Sequence, residues 1–255
     1  MNFRLVFKLT GKVLLVESAA MVLPLLVSLI YQENPMPFLM TLPLTAAIGL
    51  LLAHIRSNDH FFPREGFFAV ALIWLLMGIL GALPFYLCGR MNPELGLFQT
   101  YIDCFFEAVS GFTTTGASIL TAVEPLPRCI LFWRSFIHWM GGMGVLILAI
   151  ALLPGLGGRT LHLMKAESPG PVVSKLVPKT SQSSKILYGI YCALTALQVL
   201  CLRLAGLPWF DSLVNSFATA GTGGFAVTND SMMHYSTYIQ SVTTVFMILF
   251  GVNFS

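Results

Sequence analysis

Hydrophobic positions in this chain come in long unbroken runs, at roughly 13–31, 38–55, 67–88, 129–153 and 186–205, with a sixth starting near 238. A helix rises 1.5 Å per residue and needs about 20 apolar residues to cross hydrocarbon, so each run predicts a membrane-spanning helix. Two further apolar stretches, 97–112 and 208–219, are too short for that, reaching roughly half to three-quarters of the way across. They carry acids, Asp103 and Glu107 in the first and Asp211 in the second. Each leads into a Thr/Gly-rich segment, Ser110-Gly-Phe-Thr-Thr-Thr-Gly-Ala-Ser118 and Ser216-Phe-Ala-Thr-Ala-Gly-Thr-Gly-Gly-Phe225. Irregular backbone at membrane depth survives only where protein buries it or where it lines a watery cavity. The pattern therefore predicts an all-α polytopic membrane protein with helix–pore-loop–helix units.

Composition agrees. Apolar residues make up 56% of the chain and charged residues 10%, with mean hydropathy +0.80. A soluble domain carries about a quarter charged residues. Arg4, Lys8 and Lys12 ahead of Val13 resemble the start of a secretory signal, but the apolar run reaches Tyr31 and no small-x-small site ends it, so a retained first helix is expected. The net charge of +3 is too small to indicate nucleic-acid binding. Cys88, Cys104, Cys129, Cys192 and Cys201 are scattered at no metal-binding spacing and read as small core residues.

Charge distribution sets the orientation. Arg4, Lys8, Lys12, Arg56, Arg64, Arg159, Lys165, Lys175, Lys179 and Lys185 alternate onto one side, against Arg90, Arg128, Arg134 and Arg203 on the other. The basic excess places the N-terminus and the 154–185 loop in the cytoplasm, with both Thr/Gly segments facing out. That loop, rich in Gly, Pro, Ser and Lys, reads as a linker suited to the inner leaflet or to a peripheral partner. Glu33, Glu94, Asp103, Glu107, Glu124, Asp211 and Asp230 fall on the outer side, where a negative vestibule would concentrate cations. Glu33 and Glu94 read as solvated loop residues.

Aligning Gly116 with Gly223, an offset of 107, superposes the two units and makes Thr115 coincide with Thr222, leaving Asp103 and Asp211 one residue out of register. Such a repeat points to a pseudosymmetric pore or transporter. A dehydrated cation needs several partial charges aimed at it. Carbonyls of Thr113, Thr114, Thr115 and Gly116, with those of Ala220, Gly221, Thr222 and Gly223, could supply them. Glycine permits the backbone angles, and the short helices point their partially negative ends at the same spot. No carboxylate lies within either segment, which disfavours a divalent ring. Gly141-Gly-Met-Gly144 lies mid-span and predicts close helix packing. His138 reads as packed or water-facing rather than as a ligand. Arg134 is expected near the outer interface or paired with an acid.

Several stretches together resemble the bacterial Trk/Ktr potassium-uptake family. They are Arg64-Glu-Gly-Phe67, Gly81-Ala-Leu-Pro-Phe85, Phe105-Phe-Glu-Ala-Val-Ser-Gly111 with Thr113-Thr-Thr-Gly-Ala-Ser118, and Trp139-Met-Gly-Gly-Met-Gly144. Ala166-Glu-Ser-Pro-Gly-Pro171, Ser216-Phe-Ala-Thr219 with Gly223-Gly-Phe225, and Asn253-Phe-Ser255 complete the set. The resemblance implies four helix–pore-loop–helix units around one pore, preceded by two extra helices. Here 1–60 would be the extra helices, 61–153 the first unit, 154–185 the linker and 186–255 the second unit with its last helix truncated.

It also implies that Thr114 and Thr115, with Gly221 and Thr222 as counterparts, coordinate potassium. Gly116 and Gly223 would be the filter glycines, with Thr113 and Ala220 in support. Gly221 departs from the family, where a side chain is commoner. Potassium is then the substrate, no cofactor is bound, and the setting is a bacterial inner membrane. The partner that the resemblance implies is a cytoplasmic nucleotide-binding regulatory subunit of the TrkA/KtrA kind; this chain itself has no nucleotide-binding glycine pattern. Family members are about twice as long, so a C-terminal half or a paired copy in a homodimer is expected to complete the ring. Two rival readings are an intramembrane enzyme using Asp103, Glu107 or Asp211, which lacks a nucleophile–base pair or ligand set, and a non-conducting truncated scaffold.

Overall fold

The computed structural model describes residues 2–57, 63–93, 96, 98, 100–142, 144 and 180–251. Among these, every regular element is a helix. Helices α1 (Phe3–Ala20) and α2 (Val22–Ile30) are interrupted only at Met21, itself at φ −65 and ψ −13, and give one apolar stretch over Phe3–Ile30. This span begins ahead of the expected residue 13. The Asn2 side chain accepts from the Leu5 amide and starts the helix early, and Arg4, Lys8 and Lys12 ride on it as long amphipathic side chains. Helix α3 (Met36–Ala53) returns against α1. A Cβ on Gly11 would lie 2.4 Å from the Ala53 nitrogen and 2.6 Å from the Gly49 oxygen, so the two backbones touch as small residues allow in membranes.

Helix α4 (Pro63–Met91) crosses next, followed by the short α5 (Tyr101–Phe112) and then α6 (Arg128–Gly142). Helix α7 (Thr180–Leu204), the short α8 (Trp209–Ala220) and α9 (Thr237–Gly251) repeat that order. The buried Trp133 ring is the hub of the first half. Its indole donates to the Gly81 carbonyl at 3.0 Å, and it meets Phe38 and Phe112 edge-on at 6.2 and 6.3 Å. One side chain thus joins α3, α4, α5 and α6. Leu29, Ile30, Leu51, Leu204 and Ile248 face outward, as lipid-facing positions of a membrane protein do.

Three expectations change. Helix α7 starts at Thr180, inside the expected linker, because helical hydrogen bonding continues through a polar first turn. Glu33 is not a solvated loop acid. Its two carboxylate oxygens accept the Arg128 and Cys129 amides at 2.7 and 2.9 Å, satisfying the open N-terminus of α6 from a distant loop. Cys88, Cys104 and Cys129 are buried as read, but Cys192 is exposed on α7. Residues 145–179, including most of the linker and Ala166–Pro171, lie outside the described residues, as do Glu94 and Asn253–Ser255.

Candidate functional site

The 12-residue helices α5 and α8 are about 18 Å long, too short to cross a membrane. Thr100 and Asp103 form a reciprocal capping box that starts α5. At the other end α5 closes tightly. The Thr113 amide donates to Val109 at 2.9 Å, Thr114 to Gly111 at 3.0 Å and Thr115 to Ser110 at 2.9 Å, with Thr114 at φ +54. That is a Schellman ending with threonine where glycine is usual. Helix α8 ends in the same left-handed turn but without the outer bond that Thr115 makes in the first segment: Gly221 donates to Phe217 at 3.3 Å and Thr222 to Thr219 at 2.8 Å, with Thr222 at φ +54.

These geometries correct the register of the repeat. Thr114 superposes on Thr222, Asp103 on Asp211, and Gly116 at φ +72 on Gly224 at φ +91, an offset of 108 rather than 107. The counterparts of Thr114 and Thr115 are therefore Thr222 and Gly223, not Gly221 and Thr222. Gly223 matches Thr115 rather than Gly116. Gly221 matches Thr113, and both are ordinary helix C-caps, at φ −75 and φ −81. The letters Thr-Gly favoured the wrong alignment; the helix ends fix the right one. A β-branched residue in the left-handed region costs on the order of 1–3 kcal/mol and persists only where its surroundings impose it. Here it occurs twice at equivalent places.

The two segments meet main chain to main chain. A Cβ on Gly116 would lie 1.7 Å from the Gly223 oxygen. Thr113, Thr115 and Thr222 are exposed, Thr114, Gly116 and Gly223 half-buried, and Ala220 and Gly221 buried. The Thr113 hydroxyl donates back to Val109 at 2.7 Å and lies 2.8 Å from that of Thr115. Among the described residues, none donates a hydrogen bond to the carbonyls of Thr113–Gly116 or Ala220–Gly223. These eight carbonyls in adjoining segments form an acceptor-rich patch, part of it buried, where backbone carbonyls are nearly always paired.

The end of α6 presses on both segments. A Cβ on Gly141 would lie 2.0 Å from the Phe112 oxygen, and one on Gly142 would lie 3.0 Å from Gly221 Cα and 3.1 Å from the Ala220 oxygen. The glycines expected to pack helix on helix bring α6 against the last residues of α5 and α8 and the Tyr191 hydroxyl of α7, and the described helix stops at Gly142. Arg134 meets the expectation of an acid partner: its Nε donates to Glu107 Oε1 at 2.6 Å, with both side chains buried. Glu107 also accepts the Ser118 hydroxyl at 3.0 Å and the Ile119 amide at 3.1 Å. Arg134 Nη1 donates to the Ala226 carbonyl at 3.1 Å, and its guanidinium lies 3.6 Å from the Phe225 ring centre. This network joins α5, α6 and the stretches that follow both segments. Ser118, Phe225 and Ala226 were not foreseen in that role, although a buried Arg and Glu each signal that a partner exists.

His138 is fully buried and packed, with its ring 4.8 Å from that of Phe225. Outside the spanning helices, Glu124 accepts the Val123 amide at 3.1 Å and the Asn229 amide at 2.7 Å. The Asn229 backbone donor is the main cause holding the Glu124 carboxyl below its ordinary range. Asp211 is pushed upward by burial against the opposing pull of Arg128. Glu33, Asp103, Glu107 and Glu124 are thus engaged in caps, an ion pair and loop ties, and Glu33, Glu124 and Asp211 line one cavity together with Arg128. Among the described residues, no cluster of three His, Cys, Asp or Glu could hold a metal.

The family model described as TrkH, a cation transport protein, matches residues 38–255. The Trk system potassium uptake protein TrkH of Salmonella typhimurium is 39% identical over 260 residues, covering 100% of this chain and 52% of that relative. TrkG of Escherichia coli K12 is 33% identical over 259 residues, with 100% and 52% covered. The crystal structure of the potassium transporter TrkH from Vibrio parahaemolyticus matches with a TM-score of 0.80 at 34% identity, over 98% of this chain and 50% of that one. The chain spans about half the length of the curated relatives it matches. Family model, relatives and solved structure agree: the chain belongs to the TrkH family of cation transport proteins.

Proposed function

We propose that this chain supplies half of a potassium-uptake pore in a bacterial inner membrane, with the N-terminus in the cytoplasm, and that it has no enzymatic role. The carrying observation is the pair of abutting segments whose carbonyls, on Thr113–Gly116 and Ala220–Gly223, receive no hydrogen bond from any described residue. Carbonyl oxygens can replace the hydration shell of a monovalent ion, and the C-terminal ends of α5 and α8 add partial negative charge. With the structural register, Thr114 and Thr115 in the first segment correspond to Thr222 and Gly223 in the second, so Gly223 joins Gly221 among the coordinating candidates. Two segments do not encircle an ion. Two more, from the rest of the gene product or from a second copy, complete the ring. The expected regulator is a cytoplasmic nucleotide-binding subunit of the TrkA/KtrA kind.

The test uses the complete gene product in a host lacking potassium uptake. Rubidium accumulation should be restored and should resist competing sodium. Restored uptake with no preference for rubidium over sodium would count against a carbonyl filter, and no uptake despite membrane insertion would favour a scaffold.

A further inference from the structure

The imidazole of His138 lies where side chains of the second Thr/Gly segment would otherwise be. A Cβ on Gly221 would sit 2.1 Å from His138 Cδ2 and 3.0 Å from its Nε2. A Cβ on Gly223 would sit 1.9 Å from Nε2, 2.2 Å from Cε1 and 2.6 Å from the Thr114 oxygen. Neither glycine has positive φ, so conformation does not demand glycine at either position. The demand is steric, and its closest contacts come from one ring, with the backbone oxygens of His138 and Thr114 behind it. The same ring crowds the point beside Gly223 that the Thr114 carbonyl of the first segment also approaches. Both ring nitrogens lack a hydrogen-bond partner among the described residues, and the far side of the ring rests on Phe225, which Arg134 in turn covers. The ring is therefore placed by packing, against the second segment.

We infer that His138 is a specificity-determining positioning residue, whose imidazole is a spacer set against the second segment that, together with nearby backbone oxygens, leaves room only for glycine at positions 221 and 223. This inference rests on the filter reading above. A neutral planar ring suffices for the role, so its shape matters more than its nitrogens.

The experiment measures rubidium uptake and its inhibition by sodium for the complete gene product, normalised to the amount in the membrane. H138A should lower rubidium-over-sodium discrimination about tenfold or more, whereas H138F, which keeps a planar ring, should stay within about threefold of the parent. G221A should lower discrimination about tenfold, and G221A combined with H138A should be no worse than H138A alone. Rescue is bounded, because the new methyl still comes 2.8 Å from the backbone oxygen of residue 138. If H138A does not accumulate, H138N carries the test with the same expected loss.

Undiminished discrimination in H138A or H138N, loss in H138F equal to that in H138A, or full additivity of G221A with H138A overturns the inference. A G116A control separates the two readings. Discrimination lost in G116A but kept in H138A sinks only the spacer, while discrimination kept in both sinks the filter itself.

Discussion

Helices α5 and α8 end in the same backbone twist, yet different chemistry surrounds them. At one position the first helix has Glu107 and the second, 108 residues on, has Asn215. Glu107 accepts from Arg134, Ser118 and Ile119, so the first segment is tied on its C-terminal side by charge-assisted hydrogen bonds. Asn215 is equally buried, but neither atom of its amide has a hydrogen-bond partner among the described residues. The second segment is held chiefly by shape, with Gly142 and the His138 ring against Gly221 and Gly223, and shares only the far end of the clamp, where Arg134 donates to the Ala226 carbonyl. Threonine at φ +54 can therefore be enforced either by a polar clamp or by close packing. Equivalent geometry does not require equivalent letters.

The severest challenge to this comparison is a side chain where the segments touch. G116A places a methyl 1.7 Å from the Gly223 oxygen and forces alanine to φ +72. Near-complete loss of rubidium-over-sodium discrimination is expected in uptake assays, and unchanged discrimination would show that the two segments do not act as a pair. Breaking the polar clamp comes next. E107A leaves Arg134 buried without its acid, an expected cost of about 3–5 kcal/mol, seen as a lower unfolding temperature in detergent. The double variant E107L/R134M should recover most of that loss, and strict additivity would contradict the clamp.

The matching change in the second helix should be mild. N215L removes an amide that makes no hydrogen bond, so a stability change within about 1 kcal/mol is expected. A loss as large as that of E107A would show that the second segment depends on a polar tie after all. The smallest effect concerns Glu124, which joins the outer stretches after the two segments. Its folded carboxyl titrates below the ordinary value, so its contribution is present above the unfolded carboxylate range and fades as pH falls through the lower folded value. Protection of the Val123 and Asn229 amides against hydrogen exchange, measured relative to the slower intrinsic rate in acid, should fall as pH drops in the parent, while in E124Q that pH-dependent fall should vanish.

Much of the fold was legible because the membrane imposes a crude rule: apolar runs long enough to span it become helices. The rule blurs where polar residues continue a helix, as at Arg4–Lys12 and from Thr180. The two short helices were legible from their length, and their meeting point from the Thr/Gly letters. The register was not, because Thr115-Gly116 and Thr222-Gly223 look alike, whereas the helix endings pair Thr114 with Thr222. Asp103 and Asp211, misaligned by one residue, already carried that correction. That Arg134 needed an acid was readable; that the acid is Glu107 was not, since both sit among apolar neighbours with no spacing rule between their helices. The fit of His138 against Gly221 and Gly223 depends on the angle at which α6 meets the loop, which no local pattern encodes.

The touching main chains at Gly116 and Gly223 have a mechanical consequence. No soft side-chain layer separates the two strands there, and packed protein is nearly incompressible. Thermal motion can draw them apart but cannot press them closer. Their minimum gauge is fixed by hard atomic radii rather than by a choice of rotamer, so it should stay constant across the temperatures the fold survives.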